Sequence, residues 1–219
     1  LKKEEKDALR SFAREWGIEL TEAHLRLFSI HMDELWEWNQ RVNLVGASTR
    51  ERIHRELLLD SLIPSPFVPE TGRYLDVGSG AGFPAVPLKI CRPHLETHLV
   101  EANSKRASFL KQIIRLTGLK GVQVIRGRIE HSGDLLHPEG YHLVTARAVA
   151  GFPQTLEWCV PHLLPEGMWL SFQGAEARQR VEGQEDRLRA YGLFLHRSVS
   201  YTLPGKEGAR QLLIYRKGE

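Results

Sequence analysis

A doubly wound α/β fold is predicted, with a mostly parallel seven-stranded sheet and an N-terminal helical extension, and three observations predict it. From Arg73 onward, short β-prone runs alternate with amphipathic helical stretches, the pattern of a parallel sheet. A glycine-rich turn directly follows the first of those runs. The region before them carries helical periodicity and ends in a cluster of prolines. A chain of 219 residues holds one such domain with a small appendage. The expected division is residues 1–66 for the helical extension and 67–219 for the ligand-binding domain.

The first helix is read over Glu4–Trp16, where Leu9, Phe12, Ala13 and Trp16 recur at helical spacing and share a face. Gly17 ends it. Thr21 is the expected N-cap of a longer helix whose inward stripe is Leu25, Phe28, Met32, Leu35 and Val42. Ser48-Thr49-Arg50-Glu51 has the form of a capping box, with Ile53, Leu57 and Leu58 as the buried face that follows. Pro64, Pro66 and Pro69 exclude a continuous helix and mark the boundary. The strands expected beyond it are Tyr74–Val77, Thr97–Glu101, Val122–Arg126, His142–Ala146, Met168–Phe172, Leu193–Val199 and Gln211–Tyr215. Asn103–Thr117 reads as a helix with Ala107, Leu110, Ile113 and Ile114 inward, Lys105, Arg106 and Lys111 toward solvent, and Gly118 as its stop. Gly205, between the last two runs, suits an antiparallel hairpin added to the parallel sheet.

Composition narrows the function. A chain that is 42% hydrophobic and 26% charged can bury an ordinary core. It contains no apolar stretch of about 18 residues, so no membrane span is expected. The charged start, Leu1-Lys2-Lys3-Glu4-Glu5-Lys6, lacks the apolar run of a secretory signal, and a cytoplasmic location is expected. Cys91 and Cys159 sit singly in apolar segments and read as buried thiols. The histidines show no metal-ligand spacing; His24, His31 and His54 read as helix-surface residues, and no metal is expected. A formal net charge of +3 fits an anionic partner.

The most informative segment is Leu75-Asp76-Val77-Gly78-Ser79-Gly80-Ala81-Gly82-Phe83-Pro84. Glycines let a backbone turn tightly and approach a ligand, while the amides of the next helix point at its polar end. A dinucleotide fold would place its third glycine at position 83, which is Phe83, so an NAD-dependent oxidoreductase is disfavoured. The G-x-G-x-G present instead resembles motif I of the class I methyltransferases, whose Rossmann-like fold curves this loop around the amino-acid part of S-adenosyl-L-methionine. Glu101 ends the second strand, where a carboxylate can accept from both ribose hydroxyls of an adenosine. Arg128-Ile129-Glu130 follows the third strand, where this fold places residues beside the adenine.

Along most of its length the chain resembles the bacterial small-subunit ribosomal RNA guanine-N7 methyltransferases, also called glucose-inhibited division protein B. The resemblance is carried by Trp38-Asn39-x-x-x-Asn43-Leu44, Leu59-Asp60-Ser61, the stretch Leu75–Pro87, Lys105-Arg106-x-x-Phe109-Leu110 and Ala146-Arg147-Ala148-Val149-Ala150. It implies that Gly78, Phe83, Ile129, Glu130 and Arg147 contact the cofactor, and that the substrate is a guanine in a single-stranded loop of ribosomal RNA in the small subunit. With Gly80, Gly82 and Glu101 these form the expected cofactor set. Four positions depart from the family pattern: Glu56-Leu57, Tyr141-His142, Gln173-Gly174 and Ala85. Of the three rivals, leucine, histidine and glutamine at 57, 142 and 173 keep one open, a noncatalytic RNA-binding paralogue; a methyltransferase acting on another RNA or on a small molecule are the others.

Guanine N7 already carries a free lone pair, so its methylation needs no general base. Bringing the reactants into line can by itself be worth roughly 7–11 kcal/mol of barrier. Arg147, at the mouth of the fourth strand, is the expected catalytic residue, able to donate paired hydrogen bonds to guanine O6 or a phosphate. Arg41, Lys89, Arg92, Lys105 and Arg106 are the expected RNA contacts, together with Lys111, and Trp36 or Trp38 offers a stacking face. A monomer is expected.

Overall fold

The computed structural model describes residues 1–46, 49–174 and 183–219. Seven strands form one sheet in the order β3-β2-β1-β4-β5-β7-β6. They are β1 (Thr71–Val77), β2 (His94–Glu101), β3 (Val122–Arg126), β4 (Tyr141–Ala146), β5 (Leu163–Gln173), β6 (Leu193–Tyr201) and β7 (Arg210–Lys217). Each matches an expected run, most of them longer by one to five residues at an end. The first five pair in parallel, and β7 lies antiparallel to both β5 and β6. The strand order reverses beside β1, and the crevice there is where ligands bind in open α/β sheets.

Alternation along β1 sends Tyr74 to one face and Leu75 to the other. Tyr74 joins a core that also takes Leu9 and Phe12 of α1 (Lys3–Glu15), Leu25, Phe28, Met32 and Leu35 of α2 (Glu22–Val42), and Phe109 and Leu110 of α6 (Ser104–Thr117). The N-terminal helices thus share one core with the sheet. Leu75 faces a second core, with Leu156 and Cys159 of α7 (Phe152–Cys159) and the stacked rings of Trp169 and Tyr215.

The caps form largely as expected. The Thr21 side chain accepts from the His24 amide, and Asn103 accepts from the amides of Lys105 and Arg106. Ser48 lies outside the described residues; the capping oxygen of the next helix belongs to Thr49, which accepts from the Arg52 amide. That helix, α3 (Arg50–Ile53), passes through a π-helical stretch (His54–Leu59) into α4 (Asp60–Leu62).

Two histidine assignments are corrected. His31 and His54 are 0% and 5% exposed and belong to the interior. His31 stands three residues after Phe28 and four before Leu35, so the helical period that buries those two also buries His31.

Candidate active site

The C-terminal ends of β1, β2 and β4 carry the site. The turn after β1 is anchored by the amides of Gly78 and Ser79, which donate to the Val100 carbonyl at 2.9 and 3.0 Å. Gly80 has φ +57°, and a Cβ there would meet nothing nearer than 3.9 Å, so it would stand in the open cleft itself. Glu101, 5% exposed, accepts from the Gly80 amide through Oε2 and from the Asn103 amide through Oε1, each at 2.7 Å. The carboxylate thereby ties the end of β2 to the glycine turn while lining the cleft.

This first cleft has a volume of about 530 Å³ and brings together Gly78, Gly80, Phe83, Glu101, Ile129, Glu130 and Arg147. Arg128, the first of the three residues expected beside the adenine, and Arg106, expected to meet RNA, also line it, as does Trp158, which sequence reasoning did not single out. Gly82 is not among the lining residues. Its φ of +85° and the 2.7 Å approach of Val86 to where its Cβ would be show instead that it lets α5 (Ala85–Cys91) pack closely on the turn. A concave wall of main chain, the open space at Gly80 and a buried carboxylate suit a ligand with an adenosine and a small zwitterionic arm, the chemistry of S-adenosyl-L-methionine.

A second cleft, about 740 Å³, adjoins the first and shares Leu57, Arg147 and Ala148 with it. Its floor is a cluster around Asp60, which is 1% exposed. Arg147 donates to Asp60 Oδ2 at 3.0 Å, while Tyr201 and Arg210 donate to Oδ1 at 2.7 and 3.0 Å. Burial and the Asp60 charge push the Tyr201 phenol well above its ordinary range, so it remains a donor. The Arg147 guanidinium also lies 5.7 Å from the ring centre of Phe83 and 6.0 Å from that of Phe172. Arg147 is therefore in an ion pair, and that pair is buried between the clefts rather than on the surface.

Below the glycine turn, Asp76 is 1% exposed and accepts from Thr145 Oγ1 at 2.5 Å. Burial raises its carboxyl to about 6, against the opposing effects of the Thr145 and Ser79 hydrogen bonds and the nearby Arg147 charge.

Three further expectations change. Lys89 is 3% exposed, and its ammonium donates to the carbonyls of Pro93 and Leu95, so it faces the interior rather than RNA. Arg92 donates to the carbonyls of Ser65 and Cys91 and pairs with Glu70 at 3.3 Å. His142, second residue of β4, lies at the opposite end of the sheet, where it accepts from the Arg73 amide at 3.1 Å, and so stands away from both clefts. Arg41 and Lys105 are exposed. Leu57 lines both clefts and Gln173 the second, so these two departures from the family pattern do fall on the site.

Asp60, Tyr201 and Arg210 were not identified as a site from sequence. The available signal was a lone acid in the apolar run Leu57-Leu58-Leu59-Asp60-Ser61-Leu62-Ile63. Among the described residues, no group of three or more His, Cys, Asp or Glu is arranged to hold a metal ion, and no helix is long and apolar enough to cross a membrane.

Solved structures share this architecture. A putative O-methyltransferase from Klebsiella pneumoniae superposes with a TM-score of 0.61 at 14% identity, over 97% of this chain and 97% of that one. The precorrin-6y C5,15-methyltransferase from Geobacter metallireducens gives 0.54 at 13% identity, over 78% and 90%. At such identities the likeness shows the fold alone. Sequence relatives say more. Ribosomal RNA small subunit methyltransferase G of Geobacter sp. (strain M21) is 36% identical over 95% of this chain and 96% of its own length. The protein of that name from Halalkalibacterium halodurans is 35% identical over 95% and 89%. The family model for rRNA small subunit methyltransferase G matches residues 24–211, a span that takes in all but the first two residues of α2, the glycine turn, Asp60, Arg147 and Arg210. With both clefts inside the matched span, the chain belongs to the rRNA small subunit methyltransferase G family.

Proposed function

We propose that this chain transfers the methyl group of S-adenosyl-L-methionine to N7 of a guanine in the RNA of the small ribosomal subunit. The observation that carries the reading is Arg147, the charged wall common to two adjoining clefts. The first cleft takes the methyl donor: Gly78, Gly80 and Phe83 line its amino-acid end, Glu101 meets the ribose hydroxyls, and Ile129 and Glu130 flank the adenine. When bound, the cofactor supplies an electrophilic methyl on a sulfonium. The second cleft takes the base. Asp60 occupies one N–H donor of Arg147, and a guanidinium has five, which leaves donors for guanine O6 or a phosphate. Because N7 is already nucleophilic, the protein's work is alignment and the exclusion of water, and no acid-base pair is required at the reacting atom.

RNA contact is assigned to Arg41 of the helical extension (residues 1–66) and to Lys105 and Arg106 of the ligand-binding part (67–219). On this reading the chain acts as a monomer without a metal, in the cytoplasm where ribosomal subunits are made.

Methylation at N7 leaves a cationic purine that borohydride and aniline cleave, so primer extension maps it directly. Small subunits from a strain lacking the gene, incubated with the protein and S-adenosyl-L-methionine, should gain one cleavage site. No new site, with the cofactor still bound, would move the substrate to another RNA or a small molecule.

A further inference from the structure

We propose that His31 of α2 is a positioning residue for the glycine turn, fixing Ala81 and Phe83 and thereby setting the affinity for the methyl donor. The inference rests on the first cleft being the S-adenosyl-L-methionine site, and no family motif in this sequence includes His31.

His31 is 0% exposed and fifty positions away from the turn it touches. Its Nε2 lies 2.8 Å from the carbonyl oxygen of Ala81, which stands between Gly80 and Gly82 at the bend of the loop. A carbonyl can only accept, so Nε2 carries the proton and Nδ1 is left with its lone pair. Nδ1 is buried without a hydrogen-bond partner among the described residues. A wholly apolar side chain would avoid that cost, so filling space does not account for an imidazole here. What the imidazole adds is a donor to the loop.

The ring contributes separately. It stacks on Phe83, with centroids 4.6 Å apart and planes 20° from parallel. Phe83 in turn lines the first cleft and has the Arg147 guanidinium 5.7 Å from its centre. Burial holds His31 neutral, lowering its pKa to about 4, so no second positive charge is placed against the ring that meets Arg147. One side chain thus braces the backbone of the turn and the aromatic ring beside the catalytic arginine. A helix outside the strand-helix repeat enters the cofactor site in this way.

Three variants separate the two contacts. His31→Phe keeps a ring and removes the donor, His31→Gln keeps an N–H donor and removes the ring, and His31→Ala removes both. By calorimetry, His31→Phe should bind S-adenosyl-L-methionine on the order of 2- to 10-fold more weakly, the equivalent of one net hydrogen bond. His31→Ala should be weaker still, and His31→Gln should regain most of what His31→Phe lost. In turnover the effect should appear in KM for the cofactor, with kcat little changed. Amide hydrogen exchange of residues 78–83 in the free protein should rise in His31→Phe and fall back in His31→Gln. This second measurement holds even if the wild type fails to bind S-adenosyl-L-methionine, a failure that would count against the cofactor reading instead. Wild-type affinity and wild-type loop exchange in His31→Phe and His31→Gln, with only the melting temperature lowered, would overturn the proposal.

Discussion

The two clefts meet at Arg147 but are built by opposite means. The first is framed by main chain: the glycine turn, the loop after β3, and one carboxylate that accepts from an amide 21 positions away. The second is an assembly of side chains from distant parts of the chain. Asp60 comes from the end of the helical extension, and its partners Arg147, Tyr201 and Arg210 lie 87, 141 and 150 positions further on. A cleft of main chain tolerates change in most side chains around it, whereas one built on a buried carboxylate depends on that single group. The first should therefore fail gradually under substitution and the second abruptly.

The sharpest way to break this comparison is Asp60→Ala. Arg147 and Arg210, with side chains only 14% and 24% exposed, would lose their common anion. Leaving such charges unpaired is expected to destabilise the protein by about 3–5 kcal/mol and to abolish turnover. Urea unfolding reads the first effect. A variant as stable as the wild type would show that the second cleft is not organised around this carboxylate.

Next in size is a pH effect at the seam beneath both clefts. Asp76 at the end of β1 pairs in register with Thr145 of β4, and its carboxyl titrates near 6 instead of at the ordinary 3.8. A raised carboxyl means the folded state holds the proton more tightly than the unfolded state. Asp76 therefore costs nothing below about pH 3.8, and its cost grows as the pH rises through 6. Asp76→Asn removes the titration. Its stability relative to wild type should climb between pH 4 and pH 7 by at most about 3 kcal/mol and level off above. Parallel stability curves for the two proteins would show that folding leaves the Asp76 carboxyl at its ordinary pKa.

The difference between the clefts also explains what could be read from the sequence. Gly78, Gly80 and Phe83 form one local word, Glu101 ends the next strand, and Ile129 and Glu130 follow the one after it, so motif and strand order together located the first cleft. Gly82 belonged to the word but not to the wall, because its missing Cβ makes room for Val86. The Asp60 cluster could not be assembled in advance. Nothing local links Asp60 to Tyr201 or Arg210, and only the sheet order, which sets β5 and then β7 beyond β4, brings them together. His31 and Lys89 were misread for a shared reason. Polar side chains on helices are usually solvated, and that expectation overrode the period that placed His31 on a buried stripe.

Glu101→Ala tests the gradual side of the comparison. Loss of the carboxylate should weaken S-adenosyl-L-methionine by about 1–3 kcal/mol, as for removing hydrogen bonds to a charged acceptor. The fold should survive, and the Asp60 cluster should be undisturbed. Calorimetry alongside thermal unfolding separates the possibilities. Unchanged affinity with a lowered melting temperature would reduce Glu101 to a brace for the amides of Gly80 and Asn103.

The smallest expected effect concerns the approach of RNA, and it turns on two lysines that look alike in the sequence. Lys105 is exposed in the first turn of α6, beside Arg106 on the rim of the first cleft. Lys89 is 3% exposed and satisfies the carbonyls of Pro93 and Leu95. Each phosphate neutralised on a single strand contributes about 0.7 to the slope of log affinity against log salt concentration. Lys105→Ala should therefore flatten that slope by about 0.7 and weaken ribosomal RNA binding modestly at low salt. Lys89→Met should leave the slope unchanged and lower the melting temperature instead, since two carbonyls lose their donor. Cofactor affinity should be unaffected in the lysine-to-alanine variant, because the first cleft is held by backbone and Glu101. If Lys89→Met flattened the slope and Lys105→Ala did not, RNA would approach from the α5 side of the sheet, and the assignment of Lys105 and Arg106 to the substrate path would fall.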